Sequence, residues 1–465
     1  MLNQLPLTSR EDYKNFILYI EQNYPVNAWK VNDIHLWPIL RIYLFFYLID
    51  VVEKGKTFTA PPDKTLVIES YPTLKIIKEK LIFNKFLATI PKKKTVFCGA
   101  DIHRVDYKGF RFNRFFDSLA KIDTSVDNYI FLEYFYDYKK NYYNPENILP
   151  TEHRIERFTH TYKYTCDVKL NGFEEFLQDL RNNPITNAFT SLYSINRVKT
   201  LGTRVTYYTN FYKKILSRIK PSQQYILCYY NSVSTFAMVA AANQLGIKTI
   251  EMQHGPQPDL HLSYTNWSNV PTEGYDVLPR NFYQWDQDSA DNVDTWATKT
   301  KLYKTKVVGH PWIQYLDKED LPVEDDNFIL YCLQPEPVKL TDQFNDNIIK
   351  AIKESQKKWY IRLHPRQMPA LDDVLQLIKK HKLEEFVNVN DATALPLPIL
   401  IKKANVVVTH SSGSATEAEM LGTKVILTNP LGVQYHQGII DRGNAIFLNA
   451  DTPEFSYELK KETME

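Results

Sequence analysis

Lys403-Ala404-Asn405-Val406-Val407-Val408-Thr409-His410-Ser411-Ser412-Gly413-Ser414-Ala415-Thr416-Glu417-Ala418-Glu419-Met420-Leu421-Gly422 runs from an apolar stretch through a serine-rich turn into a helix-forming run. The β-branched residues Val406, Val407 and Val408 read as a buried strand of a parallel sheet. His410-Ser411-Ser412-Gly413-Ser414 breaks that strand, and Ala, Glu, Met and Leu carry the chain on as a helix. A strand, a small-residue turn and a helix set backbone N–H groups and a positive dipole end at the strand's carboxyl edge. With several hydroxyls in the same turn, the place suits an anion, most simply a phosphate. The plainer reading makes Ser412 or Ser414 an ordinary helix N-cap.

Upstream, Trp359-Tyr360-Ile361-Arg362-Leu363-His364-Pro365-Arg366 is a short apolar strand ended by His-Pro. The proline forces the chain out of the strand. In a doubly wound sheet the carboxyl ends of successive strands line one crevice. His364 is therefore expected beside Ser411, with Arg362 and Arg366 near by, as a site for a diphosphate or phosphodiester leaving group.

The chain has 465 residues, enough for two or three domains, with 44% hydrophobic and 24% charged residues, a globular balance. A net charge of +2 gives no case for nucleic acid as the main partner. Cys98, Cys166, Cys228 and Cys332 form no CxxC or Cys/His cluster and read as free thiols in a reducing compartment. No signal peptide is read at the start, so a cytoplasmic protein is expected. The most apolar segment, Trp37–Ile49, contains Arg41 and is too short to span a bilayer. It reads as a buried helix. The alternative is an interfacial helix, flanked by Trp29 and Lys30, that touches the inner leaflet of the membrane.

Strand-like runs occur at Thr65–Ile68, Thr95–Cys98 and Tyr129–Leu132, followed by a long helical polar stretch over 170–220. Tyr225–Tyr230, the helical Ser234–Leu245 closed by Gly246, and Lys248–Met252 make a βαβ unit and require parallel pairing. A second series begins with Phe328–Cys332, after the polar linker Asp317–Asn327. It continues through a helix over 341–357, the Trp359–Leu363 strand, a helix over 370–381, Phe386–Val389, Val406–Val408 and Lys424–Leu427. Alternation without hairpin signals predicts an open parallel α/β architecture. The expected fold is α/β and GT-B-like, two doubly wound Rossmann-like domains facing a central cleft. Residues 1–316 form an acceptor-binding α/β domain with a helical N-terminal segment, and 327–445 a nucleotide-donor-binding domain. Residues 446–465 are a tail that could return to the first domain.

In order and spacing, His254-Gly255, Gly309-His310-Pro311, His364-Pro365 and Ser411-Ser412 resemble the motifs of GT-B-fold transferases of bacterial surface polysaccharides. These are the capsule Kdo transferases, polysialyltransferases and CDP-glycerol glycerophosphotransferases. The likeness covers 225–445. The Trp-His-Gly of the polyol-phosphate enzymes is Gln253-His254-Gly255 here, and Thr272-Glu273-Gly274 is a partial echo of an acidic motif of the sialyltransferases. The resemblance implies a glycosyltransferase moving a sugar from a nucleotide donor, CMP-linked, onto a capsule, O-antigen or related glycan or a lipid-linked acceptor. No cofactor is expected, and because the serine turn and helix end already hold the phosphate, the chemistry is expected to need no metal. The alternatives are polyol-phosphate transfer from CDP-glycerol or CDP-ribitol, a UDP-sugar 2-epimerase, and a non-catalytic glycan-binding scaffold.

The resemblance gives His364 the departing phosphate, where an imidazole offsets developing charge. Arg362, Pro365, His410, Ser411, Ser412 and Ser414 complete the donor site, and Glu417 accepts from ribose hydroxyls. His254, after a buried strand and beside Gly255, is the expected general base, with Glu251 and Asp101 as alternatives. Arg104, Gln253 and Glu273 are expected at the acceptor. Asp286-Gln287-Asp288 imitates a metal-binding Asp-x-Asp, but in a helix such carboxylates do not face one another.

Overall fold

The computed structural model describes residues 5–59, 71–161, 166–319, 321–335 and 338–464, so the expected strand at Thr65–Ile68 lies outside the described residues. The chain divides into two compact units, Met1–Pro311 and Trp312–Glu465.

The first unit is built on seven parallel strands: β1 (Thr95–Ala100), β2 (Tyr129–Tyr134), β3 (Ile148–Pro150), β4 (Gln223–Ile226), β5 (Lys248–Met252), β6 (Asn281–Gln284) and β7 (Lys304–Val307). Their order across the sheet is β7-β6-β5-β4-β1-β2-β3. It reverses between β1 and β4, the switch point at which a doubly wound sheet opens its ligand crevice. Every residue of β1 and β2 is buried, as continuous apolar strands require when both sheet faces are covered.

The helices that matter here are α1 (Arg10–Asn23), α2 (Trp37–Leu48), α3 (Thr73–Thr89), α4 (Glu152–Thr159), α5 (Ile195–Ile219), α6 (Val233–Gln244) and α7 (Gln287–Ala297). α2 is core and is not an interfacial helix. Within it Arg41 is fully buried, its Nε donating to Glu21 at 2.8 Å and its Nη2 to the carbonyls of Thr265 and Asn266 at 3.1 and 2.8 Å. Gly202 on α5 lies so close to a small antiparallel sheet (Lys30–Val31, Ile34–His35, Val168–Lys169) that a Cβ would fall 2.1 Å from the Val31 side chain.

The sequence showed no hairpin, yet Arg104–Tyr107 and Phe110–Asn113 form one. Its turn residues Lys108 and Gly109 both have positive φ, 49° and 83°, as a type I′ turn needs.

The second unit holds β8 (Ile329–Cys332), β9 (Trp359–Arg362), β10 (Val387–Asn388), β11 (Val406–Thr409), β12 (Val425–Leu427) and β13 (Ala445–Phe447) in the order β10-β9-β8-β11-β12-β13, all parallel. The order reverses between β8 and β11, so this unit is doubly wound as well. Alternate residues feed two cores: Ile329, Tyr331, Ile361, Val406 and Val408 on one face, Leu330, Cys332, Tyr360 and Val407 on the other. Its helices include α8 (Asp346–Glu354), α9 (Ser414–Met420), α10 (Pro430–Asp441) and α11 (Phe455–Met464).

The C-terminal residues pack within this unit. α11 lies on α8, with Ser456 Oγ donating to Glu354 at 2.8 Å, and Glu462 pairs with Lys424. The expected linker is fastened to the same unit, through Asp325 to Tyr360 at 3.0 Å and Asp326 to Lys403 at 3.4 Å. Among the described residues no helix is long and apolar enough to cross a membrane.

Candidate functional site

In the first unit the chemistry gathers where β1, β4 and β5 end. Glu251, in β5, is fully buried. Its carboxylate accepts the backbone N–H groups of Cys228 and Tyr229 at 3.0 and 3.2 Å and the Tyr264 hydroxyl at 3.0 Å. Cys228 follows β4 in the left-handed region, φ 54°, a strained conformation for a residue with a Cβ. That backbone turn aims two successive N–H groups at the carboxylate. Burial nevertheless pushes the Glu251 carboxyl above the usual range, against the pull of His254, Tyr264 and the backbone.

His254 Nδ1 lies 3.6 Å from Glu251 Oε1, within ion-pair range and longer than a hydrogen bond. The imidazole is one-fifth exposed and so reachable. Its other ring neighbour is His103, edge-on at 5.9 Å between centroids. His103 is buried, accepts the Ala100 N–H at 3.4 Å, and is held well below the usual imidazole range by burial and then by the His254 charge. His254 is thus the accessible member of the cluster, set between a buried carboxylate and a buried imidazole.

Gln253 is framework. Its Oε1 accepts the Trp285 N–H at 2.7 Å, and its Nε2 donates to Ser289 at 3.1 Å and to the Gly255 carbonyl at 3.0 Å. His310 lies against Trp285 at 4.2 Å, and burial pushes its imidazole down to about 3.

Two expected roles, those of Asp101 and Arg104, need correction. Asp101 is held by Arg111 at 3.1 Å and Lys140 at 2.5 Å; burial opposes its ionisation, but the two cations take its carboxyl below the usual range. A carboxylate so paired is a poor base. Arg104 is buried, bonded through two nitrogens to Glu133 at 3.1 and 3.0 Å and to Asp117 at 3.3 Å, and presents nothing to an acceptor. Glu273 is exposed and pairs with Lys30 at 3.6 Å and His35 at 3.7 Å. Asp286 is the N-cap of α7, accepting the Ser289 N–H at 2.7 Å.

In the second unit two glutamines stitch the carboxyl edge. Gln334, just past β8, accepts both the N–H and the hydroxyl of Ser411 at 2.7 and 3.2 Å. Gln367 accepts the His364 N–H at 3.0 Å and donates to the Gln334 carbonyl at 2.6 Å. The His-Pro turn and the serine turn are thereby brought together as the spacing suggested. Ser411, however, is committed to Gln334, and Ser412 Oγ accepts the Ser414 N–H at 3.3 Å, so the serines chiefly build the turn.

Arg362 clamps the carbonyls of Ala392 and Leu395 at 2.5 and 2.6 Å. His364 caps the 3-10 turn that starts at Pro365, and its Nδ1 accepts the Arg366 N–H at 3.1 Å, which leaves Nε2 as the proton-bearing nitrogen. Glu417 and Ser414 are buried on α9. His436, in a kink of α10, is buried facing the Ser411 and Ser412 carbonyls.

His410 enters a cavity of about 320 Å³ at the ends of β8, β11 and β12, lined also by Asp342, Asn345, Thr428, Asn429 and Asp451. Carboxylates, amides and hydroxyls suit a ligand rich in hydroxyl groups. Sequence reasoning missed Cys228, Gln334 and Asp342; the first two stand just past strand ends, the position that singled out Ser411.

Neither a protein-family model nor a curated protein matches the chain. Solved structures of similar shape include the UDP-GlcNAc 2-epimerase of Methanocaldococcus jannaschii, at 14% identity and TM-score 0.43 over 79% of this chain and 91% of that one. The UDP-N-acetylglucosamine 2-epimerase of Rickettsia bellii gives 13% and 0.45 over 80% and 88%. Arabidopsis thaliana UGT89C1 gives 14% and 0.42 over 80% and 90%. The expected function is corrected accordingly. UDP-GlcNAc 2-epimerases stand where transferases using a CMP-linked donor were expected, and glycosyl transfer to a capsule or O-antigen glycan is given up. What stands is two compact units, each built on a doubly wound parallel α/β sheet.

Proposed function

We propose that this protein is an enzyme that rearranges a nucleotide-activated sugar by acid–base chemistry, with His254 moving the proton and Glu251 holding it in place. The Glu251–His254 pair carries the reading. A buried carboxylate with three hydrogen-bond donors around it is fixed, and its remaining interaction is with an accessible imidazole. When His254 takes a proton from substrate, the imidazolium forms beside that carboxylate. At 3.6 Å the attraction is about 4–5 kcal/mol at an effective dielectric of about 20. His103, kept neutral by burial, adds no competing charge at rest. Taken by itself, the cavity of the second unit, lined by carboxylates, amides and hydroxyls, suits a ligand rich in hydroxyl groups.

UDP-GlcNAc, after which the similarly shaped 2-epimerases are named, is the first substrate to try. Thermal unfolding with UDP-GlcNAc, UDP and CMP tests the binding half of the proposal. Stabilisation of about 2.7 kcal/mol is expected at 100 times the dissociation constant of the right ligand. Asp342→Ala and His410→Ala should weaken that ligand's binding. No response to any nucleotide sugar at millimolar concentration would overturn the reading.

A further inference from the structure

α3 (Thr73–Thr89) carries apolar residues on the side where a water-facing helix carries polar ones. Its inward face is Glu79, Phe83 and Leu87, with Phe83 packed on Phe158 of α4 and Phe211 of α5 at 5.1 and 5.6 Å. At 3.6 residues per turn the opposite line falls on Leu74, Ile77 and Leu81. These are 83%, 52% and 58% exposed, an apolar stripe running over two turns. Lys78 and Lys85 lie along one edge of it, and Lys80 is on the other side. The helix has four lysines and one acid, Glu79, which turns inward to Arg157 at 2.6 Å.

We propose that α3 docks this protein on an anionic phospholipid bilayer. The helix would lie in the interface plane, with Leu74, Ile77 and Leu81 at the acyl boundary and the lysines among headgroup phosphates. Charge selects this occupant. An outward face of lysines without a carboxylate is complementary to an anionic surface, whereas a second copy would bring lysines against lysines. The groove beside it fits the same use. A cavity of about 180 Å³ between α3 and α4 has an apolar floor that includes Ile82 and Phe86, with Arg154 and Arg157 at its rim.

Co-sedimentation of the full chain with vesicles tests the proposal, comparing equal parts phosphatidylcholine and phosphatidylglycerol with phosphatidylcholine alone at 0.1 M salt. Binding to the anionic vesicles, weakened on the neutral ones and at 0.5 M salt, is expected. The combined Leu74→Glu, Ile77→Glu and Leu81→Glu variant should stay in the supernatant with its thermal unfolding unchanged, because all three side chains are exposed. Lys78→Gln with Lys85→Gln should lower the partition coefficient roughly 25-fold, about fivefold for each lysine near the surface. Wild-type protein that ignores both vesicles would overturn the proposal, as would a triple variant that sediments like wild type. A wild-type dimer that the triple variant loses, without vesicle binding in either, would make the stripe a self-association surface instead.

Discussion

Glu251→Gln keeps the shape of the side chain and removes the charge. Its carbonyl oxygen can still accept from Cys228 and Tyr264, but the new NH₂ then confronts the Tyr229 N–H across what was a 3.2 Å hydrogen bond. One buried donor facing another costs about 1–3 kcal/mol. Relief from burying a carboxylate, whose titration burial already pushes upward, offsets part of that. The fold should therefore survive with a modest drop in urea midpoint. Catalysis should not. Losing about 4–5 kcal/mol of attraction for the imidazolium, less what solvent screens at a partly exposed ring, slows turnover by about 10²–10³-fold with KM little changed. The wild-type rate should also fall on the acid side as Glu251 protonates, above the usual carboxylate range. Steady-state kinetics on the nucleotide sugar over a pH series is the assay. A folded Glu251→Gln enzyme within threefold of wild type would refute the reasoning.

Arg104→Met should cost about 3–5 kcal/mol in unfolding, because Glu133 and Asp117 would be left buried without their cation. The folded fraction should keep its KM, which a substrate-binding arginine would not allow. His310 has its imidazole pushed down to about 3, below the unfolded value of about 6.5, so the stability it contributes is present above pH 6.5 and is lost as pH falls toward 3. Between pH 6.5 and 5 that loss is about 2 kcal/mol, and His310→Phe should flatten the urea-midpoint profile by that amount. Gly432→Ala would set a Cβ 2.2 Å from the His410 carbonyl oxygen. It should cost about 2–3 kcal/mol and weaken ligand binding in the cavity that His410 lines, both readable by thermal shift.

The strands and their alternation with helices were legible, because residues such as Val406–Val408 and Ile329–Cys332 are apolar without interruption. Gly246, at φ 70°, closed α6 as its place in the sequence suggested. What escaped was long-range pairing. Ser411 looks like an anion cradle until Gln334, 77 residues away in sequence, takes its N–H and hydroxyl. Arg104 sits in a basic, aromatic segment and reads from the sequence as an acceptor-binding group. Its partners Asp117 and Glu133 lie outside the hairpin, whose only local mark is Lys108-Gly109. Hydropathy alone reads the Trp37–Ile49 helix correctly as buried but gives no sign of the exposed apolar stripe elsewhere. The strongly apolar α2 is core, and the lysine-rich α3 bears the exposed stripe.

In the proposed reaction His254, positioned by Glu251, moves a proton on a nucleotide-activated sugar. Incubation of the purified protein with UDP-GlcNAc in D₂O, followed by mass spectrometry and proton NMR of the recovered nucleotide sugar, measures this directly. One solvent deuteron is expected on the sugar ring, carbon-bound and stable to re-isolation in H₂O, accumulating with wild type and falling at least about 100-fold in rate with His254→Ala, within the 10²–10⁴-fold span of general acid–base catalysis. Incorporation that persists unchanged in His254→Ala would contradict that role, as would transfer of the sugar to an added acceptor, with release of the nucleotide and no deuterium in the sugar.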